Sequence, residues 1–388
     1  MRRRDLLKAA TTLATGAFIG RSSRAADAPV AVIEETKIIS WKPPLYHGWP
    51  TLARRKNGEL LLVWSGGREA HVCPFGRVEL MRSQDNGQNW RWPQVLIDGP
   101  IDDRDAGVLE TARGSILVTT FTSLAYQDLL EKAEKIPAGQ PGAWDDVKLR
   151  EWRAAHQRIT AEQRQSELGM WMIRSTDGGV TWSSRYPVPV NSPHGPIQLA
   201  DGRLLYCGVE LWKPERRVGV CQSLDDGVTW EWIATIPTRE GDDNRQYHEL
   251  HAVETAEGKL IAHIRNHNQT NAQETLQTES SDGGKTWAPP HSIGVWGYPS
   301  HLLRLKDGRL LMSYSHRRPP LGNQVRISSD HGRTWSSPIV INSDAFSGDM
   351  GYPSTVECDD GLLVTVWYEL QKDSPNAQLR QARWRLNG

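Results

Sequence analysis

Five times the chain repeats one eight-residue phrase: Ser83 to Trp90, Ser175 to Trp182, Ser223 to Trp230, Ser280 to Trp287 and Ser328 to Trp335. All five fit S-x-D-x-G-x-x-W, and the last four have Thr at the seventh place. The chemistry is that of a tight turn. Aspartate accepts nearby backbone N–H groups, glycine takes a positive φ that side chains disfavour, and tryptophan covers the end of a hairpin. A turn repeated this often forces a repeating architecture, so its register has to be set before anything else is read.

A second repeat runs in step with the first. Polar-Gly pairs at Asn57-Gly58, Arg113-Gly114, Asp201-Gly202, Glu257-Gly258, Asp307-Gly308 and Asp360-Gly361 each precede a β-rich run such as LLLVW, LIAHI or LLVTVW. Most turn-to-turn spacings are 50 to 56 residues, the length of four short antiparallel strands. Six such units predict an all-β, six-bladed β-propeller. In units one to five the phrase follows the turn, so it joins the third and fourth strands. The sixth unit lacks the phrase and runs out at Trp384 to Gly388, and the strand-like segment Ala31 to Trp41 is placed to complete that blade and latch the ring.

The N-terminus reads as a targeting segment. Arg3-Arg4-Asp5-Leu6-Leu7-Lys8 resembles a twin-arginine export signature, followed by a mildly apolar run and a Ser23-Arg24-Ala25 cleavage site. This predicts a signal peptide over 1–25, a propeller over 26–388, and a periplasmic or secreted product. Removing 1–25 takes six basic residues and one acidic residue from 46 of each, leaving 40 against 45. That balance argues against nucleic acid as a partner. A mean hydropathy of −0.56 and the lack of 18 consecutive apolar residues argue against a membrane span in the mature form. Cys207 and Cys221 lie symmetrically about a turn near Pro214, which leaves open a disulfide or two buried thiols. Neither a metal site nor a cofactor is predicted, since no C-x-x-C or H-x-x-x-H cluster is present.

The second unit is longer than the others by about 40 residues, Ala125 to Leu168. Within this insert, Asp128 to Lys135 and Asp145 to Gln165 read as two amphipathic helices joined by Pro137 to Gly142. The connection leaves blade two on the face where the first strands begin. The helices are therefore expected at the rim of the central funnel, as a lid or as a brace.

That face is also where chemistry is expected. Eight positions before the turns stand Trp49, Asp105, Pro193, Glu249, Pro299 and Tyr352; beyond them, at the ends of the second strands, stand Arg68, Arg265 with His267, His316 with Arg317, and Tyr368 with Glu369. A ring of Asp, Glu, Tyr and Arg around one axis is not what packing requires, because buried charges cost free energy unless paired or used.

In this register the chain resembles the bacterial sialidase (exo-α-neuraminidase) superfamily over residues 28–388, and the repeated phrase is that family's Asp box. Glu249 precedes Arg265 by sixteen residues, as the family's assisting glutamate precedes an arginine of its carboxylate-binding triad. Gly351-Tyr352-Pro353-Ser354-Thr355 resembles the nucleophile-tyrosine segment, Glu369 the downstream glutamate, and Arg317 or Arg318 a further triad arginine. The resemblance implies a glycoside hydrolase removing a sialic acid from sialylated or other acidic glycans. Its tyrosine nucleophile avoids the repulsion a carboxylate would meet from the substrate's own carboxylate, and the arginine clamp holds that carboxylate.

Two departures stand beside the likeness. Where the family has R-I-P, this chain has Gly48-Trp49-Pro50, so the first triad arginine is missing; His47 and Arg68 are candidate substitutes. The family's acid/base aspartate is also absent after Arg68, leaving His71, Glu69 or Asp105 to supply the proton. Three readings stay open: a sialidase-like glycosidase, a glycosidase or lyase for another uronate or ulosonate using histidines such as His47, His71, His194, His248 or His301, and a carbohydrate-binding propeller without turnover.

Overall fold

A computed structural model describes residues 29–40, 44–374 and 376–387. Its strands form six four-stranded antiparallel sheets, and in blades one to five the strands follow chain order. Blade six takes three strands from the C-terminal end (Met350–Glu357, Leu363–Leu370, Ala377–Asn387) and its outermost strand, Val30–Ser40, from the other end of the chain. That strand pairs with Ala377–Asn387 from Val30↔Asn387 to Ser40↔Leu379. Backbone hydrogen bonds thus close the ring in the way Ala31 to Trp41 suggests, with Trp41 outside the described residues. The proposed export segment, 1–25, also lies outside them.

The apolar runs are nearly continuous because blades stack face to face. In LLLVW, Leu60, Leu62 and Trp64 pack with blade six, while the alternate residues Leu61 and Val63 pack with blade two. Successive strand residues face opposite ways, so a strand buried on both sides must be apolar at every position. Each of the six interfaces between neighbouring blades holds one such buried cluster.

The repeated phrase is the expected turn. In the first copy Gly87 N donates to Ser83 Oγ at 2.9 Å and Asn89 N to Asp85 Oδ1 at 2.9 Å, and Gly87 has φ +78°. Trp287 Nε1 donates to Gly284 O at 3.0 Å, closing the fourth copy over its own turn. These turns lie at the end of the ring opposite the residues picked out along the axis.

The insert departs from expectation in one respect. The helices are Tyr126–Glu134, Asp146–His156 and Ala161–Ser166, so the second predicted helix is broken. The break has a local cause: Thr160 caps the last helix in a reciprocal capping box with Gln163. Tyr126, Leu130 and Trp152 enclose Cys73, and Trp152 Nε1 donates to Glu69. The insert therefore braces the blade-one loop that carries Glu69, His71 and Cys73.

Cys207 and Cys221 are free, buried thiols. Their hairpin pairs Cys207 with Val220 and Tyr206 with Cys221. This one-residue offset sends the two side chains into different clusters.

Candidate active site

Four innermost strands carry a bulge at the same register position. Pairing slips between Gly48 and Thr51, Arg104 and Gly107, His248 and Leu250, and Gly351 and Ser354. The first residues within these slips are Trp49, Asp105, Glu249 and Tyr352, followed in three of them by Pro50, Ala106 and Pro353. Trp49, Asp105 and Tyr352 have φ of +55°, +45° and +55°, left-handed values that cost about 1–3 kcal/mol each. A bulge re-aims a side chain, and all four residues line a single axial cavity of about 440 Å³.

At its centre the Tyr352 hydroxyl donates to Glu249 Oε1 at 2.7 Å, and Arg265 Nη1 donates to the same oxygen at 2.9 Å and to Tyr352 Oη at 3.3 Å. Burial alone would raise the Glu249 pKa, but Arg265, with help from His248 and the Tyr352 hydroxyl, holds it below its ordinary value. Burial, reinforced by the Glu249 and Asp105 charges, drives the Tyr352 hydroxyl well above 10. Tyr352 is thus a protonated phenol bonded to an ionised carboxylate.

Arg265 and Arg317 share one aromatic ring, their guanidinium carbons 4.3 Å and 5.2 Å from the Tyr298 centroid. Arg265 has Glu249 as partner. Among the described residues no carboxylate lies within ion-pair distance of Arg317, and its Nε is buried without a hydrogen-bond partner. Arg104 reaches the cavity across the Trp49 ring, 4.5 Å from its centroid. Three cations therefore face one cavity, and an arginine fork matches a carboxylate better than a point charge does.

Asp105 is buried with Oδ1 unpartnered among the described residues. Burial, seconded by the Glu249 charge and opposed by Arg104, lifts its pKa to about 7, a value suited to proton transfer near neutrality. At the mouth, Asp349 accepts from Tyr46 at 3.0 Å and Tyr368 at 3.2 Å, and lies 3.1 Å from His71 Nδ1. His71 and Tyr368 line the cavity.

A model of the BNR repeat-like domain matches residues 147–365, more than half of the chain. The chain belongs to the BNR repeat-like family. A sialidase of Micromonospora viridifaciens is 23% identical over 209 residues, covering 44% of this chain and 31% of the sialidase. The chain thus matches about a third of that relative's length. Among solved structures, a protein of unknown function from Dyadobacter fermentans superposes with a TM-score of 0.74 at 22% identity, covering 92% of this chain and 99% of that one. A Hadza microbial sialidase superposes with a TM-score of 0.60 at 17% identity, covering 88% and 65%. The BNR repeat-like protein therefore has the sialidase-like propeller fold.

Not every residue picked out from the sequence enters the cavity of this BNR repeat-like protein. Arg68 is fully buried in a two-pronged ion pair with Asp102, at 2.5 Å and 3.0 Å, and also donates to the His71 carbonyl. It holds the loop and is not presented to a ligand. Glu369 is turned out of the cavity by strand alternation, its neighbour Tyr368 facing in; it accepts from Trp367 Nε1 and pairs with Arg380 at 2.6 Å. Arg318 stacks on Trp296 at 3.8 Å, outside the cavity, so of the two candidates Arg317 is the one within. His47 faces blade six, 2.6 Å from Ser40 Oγ, and Glu69 faces the insert.

The histidines separate in the same way. His194, His251 and His301 pack together beneath the floor, with His251 and His301 stacked at 4.5 Å and His194 6.4 Å from the Tyr352 ring. Burial keeps all three neutral, far below 6.5. They line a second cavity of about 360 Å³ opening at the other end of the axis. Arg104, Tyr298 and Asp349 were not picked out from the sequence. Arg104 and Asp349 stand one and three positions before Asp105 and Tyr352, and Tyr298 stands one before Pro299, so widening the aligned window by a few residues would have found them.

Proposed function

We propose that this protein is an exported retaining exo-glycosidase that removes a sialic acid or a related acidic sugar from glycans. The observation that carries the reading is the short Tyr352 to Glu249 hydrogen bond, braced by Arg265, in a cavity where Arg317 has no carboxylate within ion-pair distance among the described residues and its Nε has no hydrogen-bond partner. Arg265, Arg317 and Arg104 hold the substrate carboxylate, with Arg104 beside Trp49 where the family has its first arginine. As the Tyr352 oxygen bonds to the anomeric carbon, its proton passes to Glu249. The bond to the leaving oxygen breaks, and Asp105 protonates that oxygen. Water then attacks the same carbon and gives its proton to Asp105, while the tyrosyl bond breaks and Glu249 returns the proton to Tyr352.

The test is turnover of an aryl α-sialoside beside a panel of aryl uronides, by wild type and Tyr352→Phe. Hydrolysis of the sialoside that vanishes in the variant supports the reading. Binding of an acidic glycan with no substrate turned over makes the protein a lectin-like propeller. A second reading rests on the His71 contact with Asp349, a dyad able to do acid/base work on another acidic sugar. It predicts activity that survives Tyr352→Phe and is lost in His71→Ala.

A further inference from the structure

Beside the main cavity lies a smaller one of about 120 Å³. The two share Asp105, Phe121 and Glu249 in their walls, so they lie side by side with only these side chains between them. The side pocket has room for a substituent but not for a second sugar ring. Its far wall is Arg216 and His248, and Val209 and Leu211 add apolar surface.

Arg216 is held there by an unusual local structure. It has φ +44°, a strained value for a residue with a side chain, and sits in a turn in which its N–H donates to Lys213 O. Its guanidinium crosses to blade four, where Nη1 donates to the carbonyls of Arg245 at 2.9 Å and Tyr247 at 3.2 Å, and Nη2 to His248 Nδ1 at 3.3 Å. Since arginine only donates, His248 Nδ1 accepts and the ring's proton is on Nε2. These contacts occupy three of the five N–H groups an arginine carries. Among the described residues no carboxylate lies within ion-pair distance, and burial pulls the Arg216 pKa below its ordinary value. A half-buried cation with spare donors beside apolar walls is an incomplete arrangement. Of the two carboxyl groups bordering the pocket, Glu249 accepts from Arg265 and Tyr352 through Oε1, while its Oε2 has no hydrogen-bond partner among the described residues and its charge acts on Arg216 only from beyond ion-pair distance.

We propose that the side pocket is a second anion subsite, in which Arg216 and His248 Nε2–H bind a sulfate or carboxylate substituent carried by the same acidic sugar that the main cavity holds. The proposal rests on the acidic-sugar reading and narrows it to substrates with two anionic groups. Both groups would give charge-assisted hydrogen bonds to such an oxyanion.

The probes are 4-nitrophenyl α-sialoside and its mono-O-sulfated isomers, one for each free hydroxyl, tested with the full-length protein for binding by calorimetry and for hydrolysis. At least one isomer is expected to bind wild type tenfold or more tightly than the parent. That ratio falls to near one in Arg216→Gln and is largely kept in Arg216→Lys. No favoured isomer with wild type, or a preference unchanged in Arg216→Gln, overturns the subsite, and the wild-type panel decides even if the variants fail to fold. Hydrolysis of the parent without preference leaves the glycosidase reading standing and removes only the subsite. A sulfated isomer that binds but is not hydrolysed keeps the subsite and removes the glycosidase reading. Failure of every probe to bind removes both.

Discussion

The Tyr352 hydroxyl donates to Glu249 across 2.7 Å, although the two residues are 103 positions apart and belong to blades six and four. Each is the bulged residue of its blade's first strand. A phenol buried this deeply stays protonated unless a base lies against it, and Glu249 is kept ionised by Arg265. Glu249→Gln is therefore expected to lower kcat on an α-sialoside by about 10²–10⁴, the usual worth of a positioned base. Steady-state kinetics decide this, and a variant that keeps most of its kcat removes Glu249 from the mechanism.

Asp105 makes the reaction sensitive to alkali. With its pKa near 7, the acid form needed for the first step is lost above that pH, so kcat/KM on an aryl sialoside should fall above about pH 7. The same group acts on stability. Its pKa rises from 3.8 to about 7 on folding, so the stabilisation is complete below pH 3.8 and is lost as pH climbs through 7. Asp105→Asn, which cannot ionise, should be inactive yet gain in Tm relative to wild type between pH 5 and pH 8. An alkaline limb unchanged in this variant, or a Tm difference independent of pH, refutes the assignment.

Two arginines at the ends of second strands should respond differently to mutation. Arg317 has no carboxylate partner among the described residues, and Arg317→Ala should raise KM by about 10- to 100-fold, the equivalent of about 1.5–3 kcal/mol for a hydrogen bond to a charged group. Arg68 is sealed in with Asp102. Arg68→Met takes the two-pronged partner from that buried carboxylate and leaves it only the longer contact with Arg104 at 3.8 Å, and should cost up to about 3–5 kcal/mol of fold stability. Denaturant unfolding beside kinetics separates the two effects. A stable Arg68→Met protein with only a raised KM shows that Arg68 binds substrate.

Export is predicted to depend on the paired arginines near the start of the chain. Arg3→Lys combined with Arg4→Lys should leave the protein unprocessed in the cytoplasm, as read by cell fractionation and precursor size. Normal processing of that double variant refutes the twin-arginine assignment.

Glycine turns and doubly buried apolar runs are local properties, so the repeats alone were enough to determine six blades, the place of the Asp boxes and the register in which Tyr352, Glu249 and Asp105 align. The N-terminal closing strand was legible for a related reason: a sixth blade short of a strand has an unpaired edge. Tertiary structure decided what lies between aligned positions. Whether Tyr368 or Glu369 faces the cavity, and whether Cys207 meets Cys221, turns on a single residue of register, which flips every side chain of a strand. The fate of Arg68 depended on Asp102, 34 positions away, and that of Arg104 on the ring of Trp49. Counting from a turn tells which residues approach the axis. Only the folded packing of neighbouring blades shows which of them have their charge already matched, and which are left facing an open cavity.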